Sequence, residues 1–208
     1  MVLASRQGLE ARLSSGPKKG LAVTDTKRRL LYVPVAHSPA DMGVLGQRLP
    51  APAEGRSFAD RWWQEISRKV KSLRQDWRST KVYQDGLPDV AVDLVERIVR
   101  QVESPNYELL RWLKAQGAVV LGTESWELLA EEYEHLRAIL VPDDAAQKRQ
   151  AVENYSRRAP ALLDERDEYA AKRIDSTLGE GESGVLFIGL AHQIVKRLPT
   201  DIAVTTLA

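Results

Sequence analysis

Cysteine is absent from this chain of 208 residues, and several classes of protein are excluded with it. Without a thiol there is no disulfide framework, no thiolate zinc site, no iron–sulfur cluster and no cysteine nucleophile. Histidine is almost as scarce, because the sequence holds only three, at positions 37, 135 and 192. Any chemistry that depends on an imidazole therefore has three candidates.

The chain also lacks an excess of either charge. Thirty lysines and arginines face 29 aspartates and glutamates, which leaves a formal net charge of +1. A chain this balanced has no long-range field to gather nucleic acid or an acidic membrane, so nucleic acid is not expected as a partner. Hydrophobic residues make up 43% and charged residues 28%, a proportion that favours a folded core over disorder throughout.

Long hydrophobic runs are missing as well. Nowhere do about 18 apolar residues occur together, and residues 1–10 carry Arg6 and Glu10 without the apolar stretch of a signal peptide. We expect no membrane span, and the sequence predicts a cytoplasmic protein. The length fits one domain, so residues 1–20 are interpreted as a lead-in segment and residues 21–208 as a single domain.

Common sequence signatures of nucleotide and hydrolase chemistry are absent too. No P-loop, HExxH or GxSxG pattern occurs, so a Walker NTPase, a zincin and an α/β-hydrolase lack their motifs. The segment GEGESG at 179–184 has the GxGxxG spacing, but it precedes a predicted strand and not a helix, so we dismiss it as a phosphate-binding loop. A basic run at 68–78 lies close to three tryptophans, which suggests nucleic-acid binding. However, Trp62 and Trp77 fall on the apolar stripe of a predicted helix and the cations on its other face, so we interpret the run as solvated.

The sequence does contain apolar runs that alternate with helical patterns. Strands are predicted at 21–26, 29–36, 81–84, 118–121, 185–191 and 201–207. Helices are predicted from a cap at Ser57 to Trp77, and at 90–103, 105–116, 126–140 and about 144–178, with a kink or break at Pro160. Pro34 requires a strand end, an edge or a bulge. The alternation predicts an α/β fold, with a mostly parallel or mixed central sheet covered by helices.

Chemically useful side chains stand where four of these strands end. His37 and His192 each follow a hydrophobic strand, in the matching contexts VPVAH and IGLAH. Asp85 and Glu124 each lie in a turn that is predicted to follow another strand. In a parallel sheet these ends share one edge, where α/β proteins usually hold their ligands. The sequence therefore predicts that the four residues form a site.

This set of residues is compatible with more than one chemistry. Two imidazoles and one or two carboxylates can bind zinc, manganese, iron or cobalt and leave a position open for water. Without a metal, one histidine could act as a general base that a carboxylate orients. A third alternative is a non-catalytic binding or regulatory module that uses the loop 38–55. Asp41 in this loop is either a further ligand or a turn residue, and His135 is assigned to a helix surface.

The C-terminal part of the sequence resembles a known family. Glu165-Arg166-Asp167 in a helical stretch, followed by a hydrophobic strand that ends in Gly189-Leu190-Ala191-His192, is similar to the pattern of the TraB and TIKI proteins. These belong to a wider group that includes erythromycin-esterase-like and ChaN-like proteins. The earlier GxxH motif of the family would correspond to Pro34-Val35-Ala36-His37, in which proline stands where glycine is expected.

The resemblance implies a mixed α/β fold and, by analogy with the TIKI proteins, a metal-dependent hydrolase of amide or ester bonds. A small-molecule or peptide substrate is then expected, and a protein partner or a second copy of the chain is left open. Arg166 would stabilise the developing oxyanion or orient a carboxylate, and Glu165 would be that carboxylate or a general base. The residues expected to bind the metal are His37, Asp85, Glu124 and His192, the last of which also counts as catalytic.

Overall fold

One parallel sheet of five strands organises the protein. The computed structural model describes residues 28–37, 41 and 53–207, and for 53–57 it describes the backbone. The strands are β1 (Arg28–Val35), β2 (Thr80–Pro88), β3 (Val119–Glu124), β4 (Ser183–Gly189) and β5 (Ile202–Thr206). They lie in the order β3-β2-β4-β1-β5, and every neighbouring pair is parallel. The predicted α/β fold is thus confirmed.

Among the described residues, five helices connect the strands. They are α1 (Ala53–Ser72), α2 (Val92–Gln101), α3 (Pro105–Ala115), α4 (Trp126–Leu140) and α5 (Ala145–Thr177), with 3-10 turns at Trp77–Ser79 and Ile194–Arg197. Three of them begin at a side chain that accepts a backbone N–H of the first turn, which satisfies a group that has no partner inside the helix. These caps are Ser104, Ser125 and Asp144. The predicted bounds of α2 to α5 agree with the structure within two residues.

Each face of the sheet has its own apolar cluster, because successive strand residues point to opposite sides. The first cluster joins side chains of α1, α2 and α3 to the strand residues Val33, Val82, Val185 and Phe187. The second joins the C-terminal part of α5 to the strand residues Leu30, Tyr83, Leu186 and Ile188. Helices therefore cover both faces of the sheet, in three layers.

The chain leaves neighbouring strands β2 and β3 toward opposite faces. After β2 it enters α2 and α3, whose Val99 and Leu110 belong to the first cluster. After β3 it passes through α4 to α5, whose Ala170 and Ile174 belong to the second cluster. In α/β sheets, ligands usually bind at the carboxyl ends of two strands whose connections diverge in this way.

A bulge in β2 lies at the carboxyl end of this strand. Gln84 pairs with Gly122 and Pro88 pairs with Glu124, so four steps along β2 match two steps along β3. Gly86 allows the irregularity, since its φ of 75° suits a residue without a Cβ. A Cβ on Gly122 would lie 1.9 Å from the carbonyl oxygen of Pro88. The turns predicted at 85–88 and 122–124 are therefore wrong, because both segments continue their strands through the bulge.

Pro34 lies inside β1 without a lost hydrogen bond. The carbonyl of Tyr32 accepts from the N–H of Leu207, on the side of β5. Backbone groups alternate in direction along a strand, so those of Pro34 face the same side, where β5 has already ended. The carbonyl of Pro34 accepts instead from the indole of Trp62 at 3.2 Å. The predicted requirement for an edge at this proline is thus met.

The predictions for two helices, α1 and α5, differ from the structure. Helix α1 begins at Ala53, so Ser57 lies within it and is not its cap, and it ends at Ser72 before a separate turn that contains Trp77. Alanine and glutamate at 53 and 54 favour helix and extend it backwards. Helix α5 runs unbroken through Pro160. Arg158 binds both Glu131 on α4 and Glu165 beyond the proline, and these ion pairs bridge the turn that lacks a backbone hydrogen bond.

Some sequence predictions fall on residues that the structure does not describe. The lead-in segment 1–20, the strand 21–26 and most of the loop 38–55 lie outside the described residues. Within residues 28–37, 41 and 53–207, no helix combines the length and the apolar character that crossing a membrane would need.

Candidate metal centre

The four residues predicted from the strand ends come together at the carboxyl edge of the sheet. Asp85 lies in the bulge of β2, and Glu124 is the last residue of β3. His37 and His192 follow β1 and β4. The Nε2 atom of His37 lies 2.8 Å from Oδ2 of Asp85, and the Nε2 atom of His192 lies 3.4 Å from the same oxygen. The parallel order of the strands is what places them side by side.

Three of these side chains could share a metal ion. One ligand atom each from Asp85, Glu124 and His192 lies within 4.8 Å of the others, and all three residues are buried. His37 is joined to the group through Asp85. The donor set of two carboxylates and an imidazole suits zinc, manganese, iron or cobalt. The residues present therefore fit a divalent cation.

Gly189 at the end of β4 makes room for the convergence. Its N–H donates to Oδ2 of Asp85 at 2.9 Å. A Cβ at this position would lie 3.0 Å from that oxygen and 3.1 Å from Nε2 of His37. A side chain at the glycine of the GLAH motif would therefore crowd Asp85 and His37.

Asp167 on α5 fixes the orientation of His192, and the sequence analysis did not include it in the site. Its Oδ1 lies 2.6 Å from Nδ1 of His192, and its Oδ2 accepts the N–H of Gln193 at 2.7 Å. A carboxylate at Nδ1 leaves Nε2 directed into the site, the arrangement that outer residues give to metal-binding histidines.

Arg166 on α5 donates hydrogen bonds to the carboxylates of the site. Its Nε and Nη2 donate to the two oxygens of Glu124 at 3.0 and 2.9 Å, and Nη2 also donates to Oδ1 of Asp85 at 3.0 Å. Its Nη1 contacts Glu132 on α4. All three nitrogens thus contact carboxylates of the strand ends or of α4, and the catalytic role of Arg166 stays a prediction.

Glu165 does not join the site. It is exposed and accepts from Arg158 at 2.7 and 2.8 Å. The helical period explains this, because the buried stripe of α5 contains Leu162, Arg166 and Ile174, and Glu165 falls on the opposite face. The carboxylates that Arg166 orients come from the strand ends and from α4 instead.

Glu132 and Tyr155 are two further site neighbours that the sequence analysis missed. Glu132 is buried on α4, and one of its oxygens accepts from the hydroxyl of Tyr155 at 2.9 Å. The sequence contains a signal for the burial of Glu132, because this residue interrupts an apolar helical stripe that contains Leu129 and Leu136. His135, on the same helix, lies against the ring of Tyr155 and outside the cluster.

Asp41 occupies a position beside the site. It accepts a hydrogen bond from Ser104 Oγ at 2.6 Å, next to the beginning of α3. Its negative charge contributes to a raised pKa of His37, although its carboxylate is not among the three groups whose ligand atoms converge. Within the described residues, Asp41 is therefore an outer neighbour of the cluster.

Burial and charge act against each other in this cluster. Burial lowers the pKa of His37 and of His192, but the charge of Asp85 and the hydrogen bonds to Asp85 and Asp167 together outweigh it, so both pKa values are raised. Burial also raises the pKa of Asp85, yet the two histidines and Arg166 hold it well below its usual range. For Glu124 burial outweighs Arg166 and raises the pKa to about 7. A cation bound to these side chains would compete with their protons, so its affinity would depend on pH.

No protein-family model, curated protein or solved structure matches the chain. The relation to the TraB and TIKI proteins consequently stays a hypothesis that rests on the two motifs quoted above. The functional proposal therefore rests on the arrangement of side chains at the carboxyl edge of the sheet.

Proposed function

We propose that this protein is a hydrolase of amide or ester bonds that depends on a divalent metal. The observation that carries the proposal is the convergence of buried ligand atoms from Asp85, Glu124 and His192 within 4.8 Å. Isolated buried charges are costly, and clusters of them in a crevice are typical of functional sites. The resemblance to the TIKI proteins points to the same reaction class.

The residues around the ion would have two roles, metal binding and orientation of a ligand. Asp85, Glu124 and His192 would hold it, and Asp167 keeps the imidazole of His192 turned so that Nε2 is available. When bound, a divalent cation polarises a carbonyl group and makes water acidic enough to attack it near neutral pH.

His37 is the residue placed to move a proton. Its Nε2 lies 2.8 Å from Asp85 at the rim of the cluster, where it can take a proton from a nucleophile or return one to a leaving group. Asp85 raises the pKa of this imidazole against the effect of burial, which favours the protonated form as a general acid. Arg166 keeps the carboxylates of Asp85 and Glu124 in position throughout, because three of its hydrogen bonds end on them.

A second candidate function is metal-free acid–base catalysis by the histidines. It is favoured by one observation, that Nε2 of both His37 and His192 faces the same oxygen of Asp85 as in an ion pair. Hydrolytic activity that survives a strong chelator would support this alternative, whereas activity lost on chelation and restored by Zn²⁺ or Mn²⁺ would support the metal-dependent enzyme.

The decisive experiment is elemental analysis of the purified protein and of single histidine variants. About one metal ion per chain is expected in the wild type, and loss of that ion is expected in His192→Ala with an unchanged circular dichroism spectrum. His135→Ala is the matched control, since the third histidine lies outside the cluster on α4. It should keep its metal.

Two results would contradict the proposal. One is full metal content in a folded His192→Ala variant. The other is a wild-type protein that holds no metal even after reconstitution with Zn²⁺, Mn²⁺, Fe²⁺ and Co²⁺. A metal-loaded protein would next be screened with peptide and ester substrates.

A further inference from the structure

A chain of polar contacts leads from the site into the pair formed by α4 and α5. It begins at Arg166, which donates to Asp85 and Glu124, and continues through Nη1 to Glu132 on α4. The other oxygen of Glu132 accepts from Tyr155 Oη at 2.9 Å. The chain therefore reaches a tyrosine that touches no ligand of the site.

The spacing of α5 explains how Tyr155 can reach the same carboxylate as Arg166. The two residues are eleven positions apart, which is about three turns of an α-helix, so they lie on one side of it. Leu162 lies between them on that side and is buried. Glu132 extends from the neighbouring helix α4 and contacts both.

Glu132 limits the positions that the guanidinium of Arg166 can adopt. Arg166 is 6% exposed and faces three carboxylates, those of Asp85, Glu124 and Glu132. A carboxylate at Nη1 holds that end of the planar group, while the other nitrogens serve the site. Its removal would leave a buried donor without an acceptor, and the guanidinium would gain other orientations.

Tyr155 in turn limits the positions of Glu132. Its ring packs against His135 with the centroids 5.4 Å apart, so the hydroxyl is presented from a supported position. Burial and the charge of Glu132 raise the pKa of Tyr155, which therefore remains a donor over the physiological range.

We propose that Glu132 and Tyr155 are positioning residues that hold Arg166 against Asp85 and Glu124 in the orientation a metal requires. This inference deepens the proposed function, on which it rests for the role of the two site carboxylates. Neither residue is a ligand, and both act through the guanidinium of Arg166. The α4–α5 pair thereby becomes part of the site as well as a cover for the sheet.

The test compares Tyr155→Phe with Tyr133→Phe. Both variants lose one phenolic hydroxyl, but Tyr133 is 45% exposed on α4. The first measurement is the hydrogen-exchange rate of Arg166 Nε–H by NMR in the metal-free protein. A rise of about tenfold is expected in Tyr155→Phe and none in Tyr133→Phe.

The second measurement is Zn²⁺ affinity. Mutation of a residue that contacts the ligands of a metal site typically changes metal affinity by about 10- to 100-fold. Tyr155 reaches the ligands only through Glu132 and Arg166, so we expect Tyr155→Phe to weaken Zn²⁺ affinity by about 3- to 10-fold. Glu132→Gln, which keeps the shape and removes the charge, should have the larger effect. A purely structural role would lower the melting temperature and leave the affinity of the folded protein unchanged.

The outcomes separate this inference from the proposed function. An unchanged exchange rate in Tyr155→Phe overturns the inference, and so does a raised rate with wild-type Zn²⁺ affinity. A raised rate in a protein that binds no metal in any form would contradict the proposed function, and the role of Tyr155 in holding Arg166 would stand.

Discussion

The two edges of the sheet use the same kinds of side chain in opposite ways. At the amino-terminal edge, Arg28 binds Asp175 at 2.8 Å and Asp201 at 2.6 Å, and the side chains of these partners are 48% and 60% exposed. At the carboxyl-terminal edge, Arg166 binds Asp85 and Glu124, whose side chains are 3% and 1% exposed. One edge leaves the carboxylates of its ion pairs in water, and the other buries both partners.

This contrast separates stability from function. Exposed ion pairs contribute little, typically about 0–1 kcal/mol, and cost little to make. Arg28 adds a local role, since it also donates to the carbonyls of Asp175 and Leu178 at the end of α5. Buried charges carry a large desolvation penalty that hydrophobic residues would avoid. Among the described residues, the ion pairs with both partners fully buried lie at the carboxyl-terminal edge, which is the edge proposed as the metal site.

The largest expected effect comes from removing the central cation of each edge. Arg166→Met should lower the free energy of unfolding by about 3–5 kcal/mol, because it leaves buried carboxylates without a partner. Arg28→Met should cost about 1 kcal/mol. Urea denaturation of both variants measures the difference. Equal losses would remove the distinction between the edges.

The pH dependence of stability should have opposite signs for two glutamates, one at each edge, in the metal-free protein. Glu124 has a pKa raised from 4.5 to about 7, so its contribution is present below 4.5 and is lost as the pH rises to about 7. A shift of this size corresponds to roughly 3 kcal/mol. The hydrogen bond from Lys81 lowers the pKa of Glu182, so the contribution of Glu182 is present above 4.5 and is lost on acidification.

Two glutamine variants test these signs. Denaturation of Glu124→Gln as a function of pH should no longer show the loss of stability between 4.5 and 7. Glu182→Gln should keep that loss and should show a smaller loss below 4.5. The same curve for both variants would contradict the assignment of opposite signs.

Glycine substitutions should also distinguish the edges. A Cβ at Gly122 would overlap the backbone of Pro88 in the bulge beside the site, and Gly122→Ala should cost about 1–3 kcal/mol or more. At the amino-terminal edge, Gly181 has a φ of 76° and open space around it, so Gly181→Ala meets only backbone strain of about 1 kcal/mol. Thermal unfolding of the two variants gives the comparison, and a larger loss at Gly181 would show that the bulge adapts.

The last comparison between the edges concerns metal binding. Asp167→Asn should weaken Zn²⁺ affinity by about 10- to 100-fold, because Nδ1 of His192 loses its charged partner. Asp175→Asn, on the same helix but at the other edge, should leave the affinity unchanged. Isothermal titration of both variants measures it, and equal affinities would show that Asp167 has no part in the site.

The sequence allowed the layout of the site to be predicted but not its inner contacts. Apolar strands and helical spacing give a parallel sheet, and a parallel sheet brings His37, Asp85, Glu124 and His192 to one edge. The bulge of β2 escaped prediction because Asp85-Gly86-Leu87-Pro88 is typical of a turn. In the structure the same residues are retained in the sheet by pairing with β3.

The helix residues of the site were harder to predict for a different reason. Glu165, Arg166 and Asp167 are adjacent in sequence, and only the phase of α5 decides which of them face the sheet. That phase is set by Leu162, Ala170 and Ile174, whose spacing was available. The contact between Glu132 and Arg166 spans 34 residues. It depends on how α4 and α5 pack together, which no local pattern specifies.

The passage of α5 through Pro160 has a consequence for cooperativity. A proline removes one backbone hydrogen bond, so the two halves of such a helix would ordinarily open independently. Here Arg158, which precedes the proline, binds Glu165 beyond it and Glu131 on α4. Glu132 on α4 binds Tyr155 before the proline and Arg166 after it. The amides of 145–159 and 161–177 should therefore exchange with solvent as one unit that opens together with α4. The metal centre would then report on the folding of a helix pair that extends well beyond it.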